Sequence, residues 1–216
     1  MKRLKLPFDK ASSTNILCLG AHSDDIEIGC GGTILRLARE YPGAVFHWVV
    51  FIAERVRAAE AQRAASLFVG KNKINGPILK DFKDGFMPYN GAAVKDIFED
   101  LKTISPDLIF THYRRDAHQD HRFLCELTWN TFRDHLILEY EIPKWDGDMS
   151  QPNFFVPLEL ADCEKKIEYI LDAFQSQSSK RWFRKETFSA LMRLRGMECN
   201  SPSDYAEAFY CSKACL

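Results

Sequence analysis

Two short segments of this 216-residue chain hold most of the side chains that could do chemistry. LGAHSDDIEIGCGG, residues 19–32, sets His22, Asp24, Asp25 and Glu27 directly after an apolar run. THYRRDAHQDHR, residues 111–122, adds His112, Asp116, His118, Asp120 and His121. Four of the six histidines lie in these two segments, which random scatter would rarely produce. Imidazole and carboxylate bind Zn2+, and catalytic zinc sites combine three protein donors with one open position. His22 and Asp25, three apart at a turn, could grip one ion from one side. A third donor from the second segment would complete a His/His/Asp set. With no Cys among these donors, a closed structural zinc site is not expected.

Other chemistries fit less well. A dinucleotide loop wants G-x-G-x-x-G close after a strand. Here eight non-glycine residues separate Gly20 from GCGG, and the acidic pair would repel a pyrophosphate. A helix-capping carboxylate explains one acid, but not the histidine or the second cluster. His22-x-Asp24 with a distant His has the spacing of an iron oxygenase site. It leaves Asp25 idle and belongs with antiparallel barrels. His47, inside VFHWVV, and His135, read as helical, are expected to be core residues.

The elements that must position these groups alternate in type. NILCLGA (15–21), AVFHWVVFIA (44–53), INGPIL (74–79), DLIFTH (107–112) and ILEYEIP (137–143) read as strands. GGTILRLARE (31–40), RVRAAEAQRAASLFVG (55–70), VKDIFEDLKTI (94–104) and RFLCELTWNTFRDHL (122–136) read as helices. Val94, Ile97, Phe98 and Leu101 show the i, i+3, i+4, i+7 stripe of an amphipathic helix. Continuous apolar strands between helices imply a mostly parallel sheet covered on both faces. Such a sheet gathers the C-terminal ends of its strands at one edge, so the two polar clusters can meet there. From KWDGDMSQPN onward only one helix stands out, with Ile167, Ile170, Leu171 and Phe174 on one face.

Composition narrows the class. An apolar fraction of 46% supports a proper core, and a formal net charge of −1 argues against a nucleic-acid binder. No run approaches the roughly 18 apolar residues of a membrane span, and MKRLKLPFDKASS lacks the apolar core of a secretory signal. Seven Cys without a CxxC pair suggest reduced, buried thiols in a cytoplasmic protein. One domain over residues 1–216 is expected, and nothing in the chain opposes a homo-oligomer.

AHSDDIEIGCGGT together with HYRRDAHQDHR resembles the zinc-dependent de-N-acetylases of the LmbE/PIG-L family, whose signatures run A-H-P-D-D-x-E-x-G-x-G-G and H-P-D-H. The resemblance covers about the first 125 residues. It implies a Rossmann-like α/β sheet with the active site at the C-terminal strand ends. It also implies hydrolysis of an N-acetyl group on an amino sugar such as N-acetylglucosamine, or on a sugar conjugate. Carried over by position, His22, Asp25 and His121 would bind zinc, Asp24 would be the general base, and His118 would stabilise the oxyanion. Arg57 matches a substrate-facing arginine, although an ion pair with Glu60 explains it nearly as well. Asp120 would orient an imidazole, cap the following helix, or both. Ser23 and Gln119 replace the usual prolines, and neither change removes a ligand. Residues from about 145 onward would shape the pocket, where Trp145 could stack on a sugar and Arg181 or Arg184 could pair with a phosphate. The expected partner is a small N-acetylated sugar, with no nucleic acid and no membrane. The rival is an inactive metal- or sugar-binding module of the same fold, which would need neither Asp24 nor His118.

Overall fold

The computed structural model describes Leu6, Phe8 and residues 13–215. Strand and helix alternate through β1 (Asn15–His22), α1 (Asp25–Glu40), β2 (Val45–Ile52), α2 (Val56–Val69) and β3 (Lys73–Leu79). The alternation continues through α3 (Gly91–Leu101), β4 (Leu108–His112), α4 (Gln119–Thr131) and β5 (Ile137–Tyr140). β6 (Phe154–Pro157), α5 (Leu160–Ala173), α6 (Lys185–Glu198) and β7 (Ala206–Tyr210) complete the chain. One seven-stranded sheet results, in the order β3-β2-β1-β4-β5-β7-β6. β1 to β5 run parallel, and β7 is antiparallel to both of its neighbours.

β1, β2, β4 and β5 are mostly apolar because both of their faces are buried, whereas β3, at the edge of the sheet, is largely exposed. Along β1, Ile16 and Cys18 join one core with residues of α1, α2, α5 and α6. Leu17, Leu19 and Ala21 join the other, with Val94, Phe98 and Leu101 of α3 and Leu124 of α4. The chain winds from β1 out to β3, then returns to β4 on the other side of β1. In open α/β sheets, ligands bind outside the strand ends where the winding reverses. Here that point lies between β1 and β4, the strands that lead into the two polar segments.

Three differences from the sequence reading have physical causes. α1 begins at Asp25 rather than Gly31 and bends at Cys30, whose φ of −141° and ψ of 15° are not helical. The bend removes the helical partners of nearby backbone groups, and buried charges replace them. Lys166 Nζ donates to the Ile28 carbonyl at 2.6 Å, while Glu207 accepts from Gly32 N–H at 2.8 Å and Thr33 N–H at 2.6 Å. Lys166 and Glu207 also pair with each other at 2.6 Å, so neither charge is buried alone. Secondly, α4 ends at Thr131, which leaves His135 in the turn beyond it, half-buried against Asp134. His47 likewise is half-buried on β2 and pairs with Asn15. Thirdly, α6 and β7 escape pattern reading because Arg195 and Glu207 lie buried where an apolar stripe would be expected. Arg195 grips Glu141 through two hydrogen bonds, at 2.9 and 2.6 Å.

The glycines of α1 answer to packing. A Cβ on Gly29 would lie 2.2 to 2.9 Å from ring atoms of Tyr140. That ring is fully buried, and its hydroxyl donates to the Leu19 carbonyl at 2.7 Å, so it has little room to yield. Gly29→Ala should therefore destabilise the protein by about 1–3 kcal/mol through overpacking. Gly91→Ala, where the nearest atom would be Phe123 Cζ at an ordinary 3.6 Å, should be close to neutral. Thermal melts should show the first variant several degrees below the second; equal melting temperatures would refute the packing account.

Candidate active site

β1 delivers His22 as its last residue and α1 opens at Asp25, so the two flank a turn made by Ser23 and Asp24. Asp25 Oδ2 accepts the His22 backbone N–H at 2.6 Å and lies 3.3 Å from His22 Nδ1. His121, in the first turn of α4, brings its Nε2 to 3.1 Å from His22 Nδ1 and 3.5 Å from Asp25 Oδ2. Three donors thus form a triangle with edges of 3.1 to 3.5 Å. A zinc ion bound at 2.0–2.2 Å would see tetrahedral donors roughly 3.3–3.6 Å apart. The donor set and its size fit one such ion. His112 is also near, with Nε2 3.2 Å from Asp25 Oδ2, but the same nitrogen accepts the Ala21 N–H at 3.0 Å. Its fully buried ring stacks on that of His121, with the centroids 3.8 Å apart, and His112, Asp25 and His121 also bring ligand atoms close enough for one ion.

The far nitrogen of each donor imidazole meets a carboxylate, an arrangement that fixes tautomer and ring orientation in metal sites. His121 Nδ1 lies 3.0 Å from Asp116 Oδ2, and His22 Nε2 lies 2.8 Å from Asp84 Oδ1. Asp116 is further held by Lys144 Nζ at 3.0 Å. Lys144 also binds Asp148, whose carboxylate accepts the Ala117 N–H at 2.6 Å. Through this loop the last third of the chain reaches the site. Trp145 follows Lys144 in this loop and is 70% exposed. Arg184 is occupied with carbonyls of its own turn, those of Ser178 and Phe183.

Asp120 does different work from that expected. Its carboxylate accepts the N–H groups of Gly85 at 2.7 Å and Met87 at 3.1 Å, and so anchors the loop that carries Asp84. The nearest donor imidazole atom, His22 Nε2, is 3.9 Å away, beyond hydrogen-bonding distance. The N-cap of α4 is His118, whose side chain accepts the Asp120 N–H. Asp84 itself carries no sequence signal: it is one acid in a polar loop, KDFKDGF, and only the fold brings it to His22.

Asp24 is buried, and its Oδ1 is ion-paired with Arg57 Nη2 from the first turn of α2. Glu60, the alternative partner of Arg57, is taken instead by Ser176, whose N–H and hydroxyl donate to it at 2.8 and 2.6 Å. His118 is half-buried, its ring centroid 4.9 Å from that of His22 and 4.6 Å from that of His121.

The electrostatics favour positive charge at the triangle. Burial disfavours an imidazolium at His22, yet the carboxylates of Asp25 and Asp84 outweigh it and lift its pKa to about 10. Burial and the neighbouring His112 push His121 down to about 3, so its ring is a neutral donor. Burial also opposes the charge on Asp25, but the three surrounding imidazoles hold its carboxyl well below the usual range. A metal ion can replace the proton that His22 would otherwise take. Glu27, fully buried below the turn, has no hydrogen-bond partner on either oxygen. Burial first, and then the adjacent Asp24 and Asp25, raise its pKa well above the usual carboxyl range.

A family model described as PIG-L: GlcNAc-PI de-N-acetylase matches residues 17–132, more than half of the chain and both polar segments. The chain belongs to the PIG-L family. Solved structures with a similar fold include N,N'-diacetylchitobiose deacetylase from Pyrococcus horikoshii, with a TM-score of 0.73 and 20% identity over 92% of this chain and 83% of that one. The conserved protein TT1542 from Thermus thermophilus matches with a TM-score of 0.73 and 19% identity over 93% and 95%. So does the 4-carboxy-2-hydroxymuconate hydratase of Pseudomonas putida, with a TM-score of 0.75 and 16% identity over 94% and 98%. At these identities the likeness concerns the fold, and a hydratase shares it. For this PIG-L family chain the reaction must therefore be argued from side chains.

If His121 depends on Asp116 for its orientation, Asp116→Asn should weaken binding of a divalent metal by about 10–100-fold. Competition with a chelator measures this directly, and unchanged affinity would remove Asp116 from the site.

Proposed function

We propose that this PIG-L family chain is a zinc-dependent hydrolase that removes the N-acetyl group from an amino sugar or sugar conjugate, including sugars carried on a nucleotide or a thiol. The observation that carries this is the His22 Nδ1, Asp25 Oδ2 and His121 Nε2 triangle with Asp24 and His118 beside it. Zinc in such a site lowers the pKa of bound water from 15.7 to about 7 and polarises a carbonyl. Asp24 sits next to a ligand without belonging to the triangle, which suits the group that moves the proton. Arg57 anchors its Oδ1, and Oδ2 can accept a proton from the attacking water and return it to the departing amine nitrogen. His118 faces the same space and donates to the oxygen that becomes negative as the amide carbon turns tetrahedral.

Arg57 would serve the substrate as well, since its guanidinium can donate to a sugar hydroxyl or a phosphate with a fork that Lys lacks. The loop from Lys144 to Met149 would form one wall of the pocket, with Trp145 offering a ring to a sugar face. No helix among the described residues is long and apolar enough to cross a membrane.

A screen of acetylated amino sugars, nucleotide sugars and thiol glycosides, with released acetate measured, tests the proposal. Purified protein should hold about one Zn2+ per chain, and His121→Ala should lose most of it. Asp24→Asn should keep the metal but lose turnover by roughly 10²–10⁴. A binding module would show metal in both the parent and the Asp24→Asn protein and acetate from neither.

A further inference from the structure

Gln119 stands where the family signature has proline, and its side chain makes a contact that proline cannot make. Its Nε2 donates to the Gly85 carbonyl at 3.1 Å, across to the loop between β3 and α3. Beside it, Asp120 accepts the Gly85 N–H at 2.7 Å and the Met87 N–H at 3.1 Å. Two consecutive residues of α4 thus hold Gly85 by both of its backbone polar groups.

The local backbone makes that double hold matter. Gly85 is the third residue of a turn closed by the Phe86 N–H on the Lys83 carbonyl at 3.0 Å. Its φ of 77° lies in the left-handed region that favours glycine. A Cβ there would lie 3.2 Å from Gln119 Nε2, so the amide rests against the side that glycine leaves bare. A loop held only by its N–H groups can still swing a carbonyl, and glycine makes the swing easy. The bond from Gln119 stops it. The residue before Gly85 is Asp84, whose Oδ1 lies 2.8 Å from His22 Nε2. The Asp84 side chain is 71% exposed, and exposed ion pairs are weak unless their geometry is fixed beforehand. The course of the loop, rather than burial, therefore keeps this carboxylate on the ring.

We infer that Gln119 latches the β3–α3 loop to the start of α4 and so holds Asp84 against His22, which makes it a positioning residue for the site. The inference deepens the metal-site reading of the proposed function and rests on it. The first turn of α4 then serves the triangle twice. It supplies His121 directly, and through Gln119 and Asp120 it orients His22, which arrives from β1.

Gln119→Pro removes the latch and leaves the helix start intact. Gln119 is the first residue of α4, where proline is well tolerated. His118 before it already has the extended backbone, φ −74° and ψ 126°, that a following proline requires. Gln119→Glu keeps the length of the side chain and suits a helix N-terminus, but its carboxylate has no hydrogen to donate. In competition with a chelator, both variants should bind zinc about twofold to tenfold more weakly than the parent, the worth of one hydrogen bond. Asp84→Ala should weaken binding by about 10–100-fold, and adding Gln119→Pro to it should bring no further loss, because the effect runs through Asp84. Hydrogen exchange at the Gly85 amide should be faster in Gln119→Pro than in the parent.

Parent-like zinc affinity in Gln119→Pro overturns the inference, and so does a loss of the same size in the Asp84→Ala background. Should the parent protein bind no metal, the metal-site reading falls. Exchange at the Gly85 amide then still decides whether the latch exists, since equal rates in the parent and Gln119→Pro would rule it out.

Discussion

The parallel pairing of β1 with β4 is the contact on which the site depends. Ile16, Leu17 and Cys18 lie beside Leu108, Ile109 and Phe110, so two segments far apart in the chain emerge side by side. His22 and His121 are 99 residues apart in sequence, yet their ring nitrogens come to 3.1 Å. No local preference of either segment could create that distance. It follows from register in a sheet buried on both faces, where a slip of one residue would turn every side chain of a strand to the wrong core.

The same constraint explains the crowding of buried charge behind the strand ends. Bringing Asp24, Asp25, Asp116, Asp120, His112 and His121 into a buried space is unfavourable unless each polar atom finds a partner. Most are matched pairwise: Asp24 by Arg57, Asp120 by two loop amides, and Asp116 by His121 and Lys144. The bent helix α1 needs its own support, which Lys166 and Glu207 supply from α5 and β7. The last third of the chain is thus bound into the placement of Asp25, although it contributes none of the triangle's donors.

Fold and chemistry separate cleanly here. A hydratase and a deacetylase share this architecture, so the sheet supplies an edge at which loops can meet and leaves the reaction to the side chains set there. What distinguishes this edge is the division of labour among similar groups. Asp25 faces the triangle and its neighbour Asp24 faces Arg57. His121 turns Nδ1 to Asp116, while His118, at the N-cap of the same helix, turns Nδ1 to the Asp120 N–H. Adjacent or near-adjacent residues take different roles because the turn between β1 and α1, and the first turn of α4, aim them differently.

Much of this could be read in the chain. Apolar runs between helical stretches implied a parallel sheet, and its consequence, a common edge for strand ends, joined the two His- and Asp-rich segments on sequence grounds alone. The motif pair also supported the family, since A-H-S-D-D-I-E-I-G-C-G-G and H-Q-D-H keep the spacing that a turn and a helix start require. What sequence could not show was any contact made across space without a local pattern. Asp84 is an unremarked loop acid until Asp120 pulls its loop onto His22, and Arg57 is one of two plausible ion pairs until Ser176 occupies Glu60. α6 and β7 went unread because buried Arg195 and Glu207 interrupt the apolar periodicity that marks an element. Local spacing determines which groups can act together within a turn; only tertiary packing decides which distant groups complete them, because that depends on register and burial summed over the whole sheet.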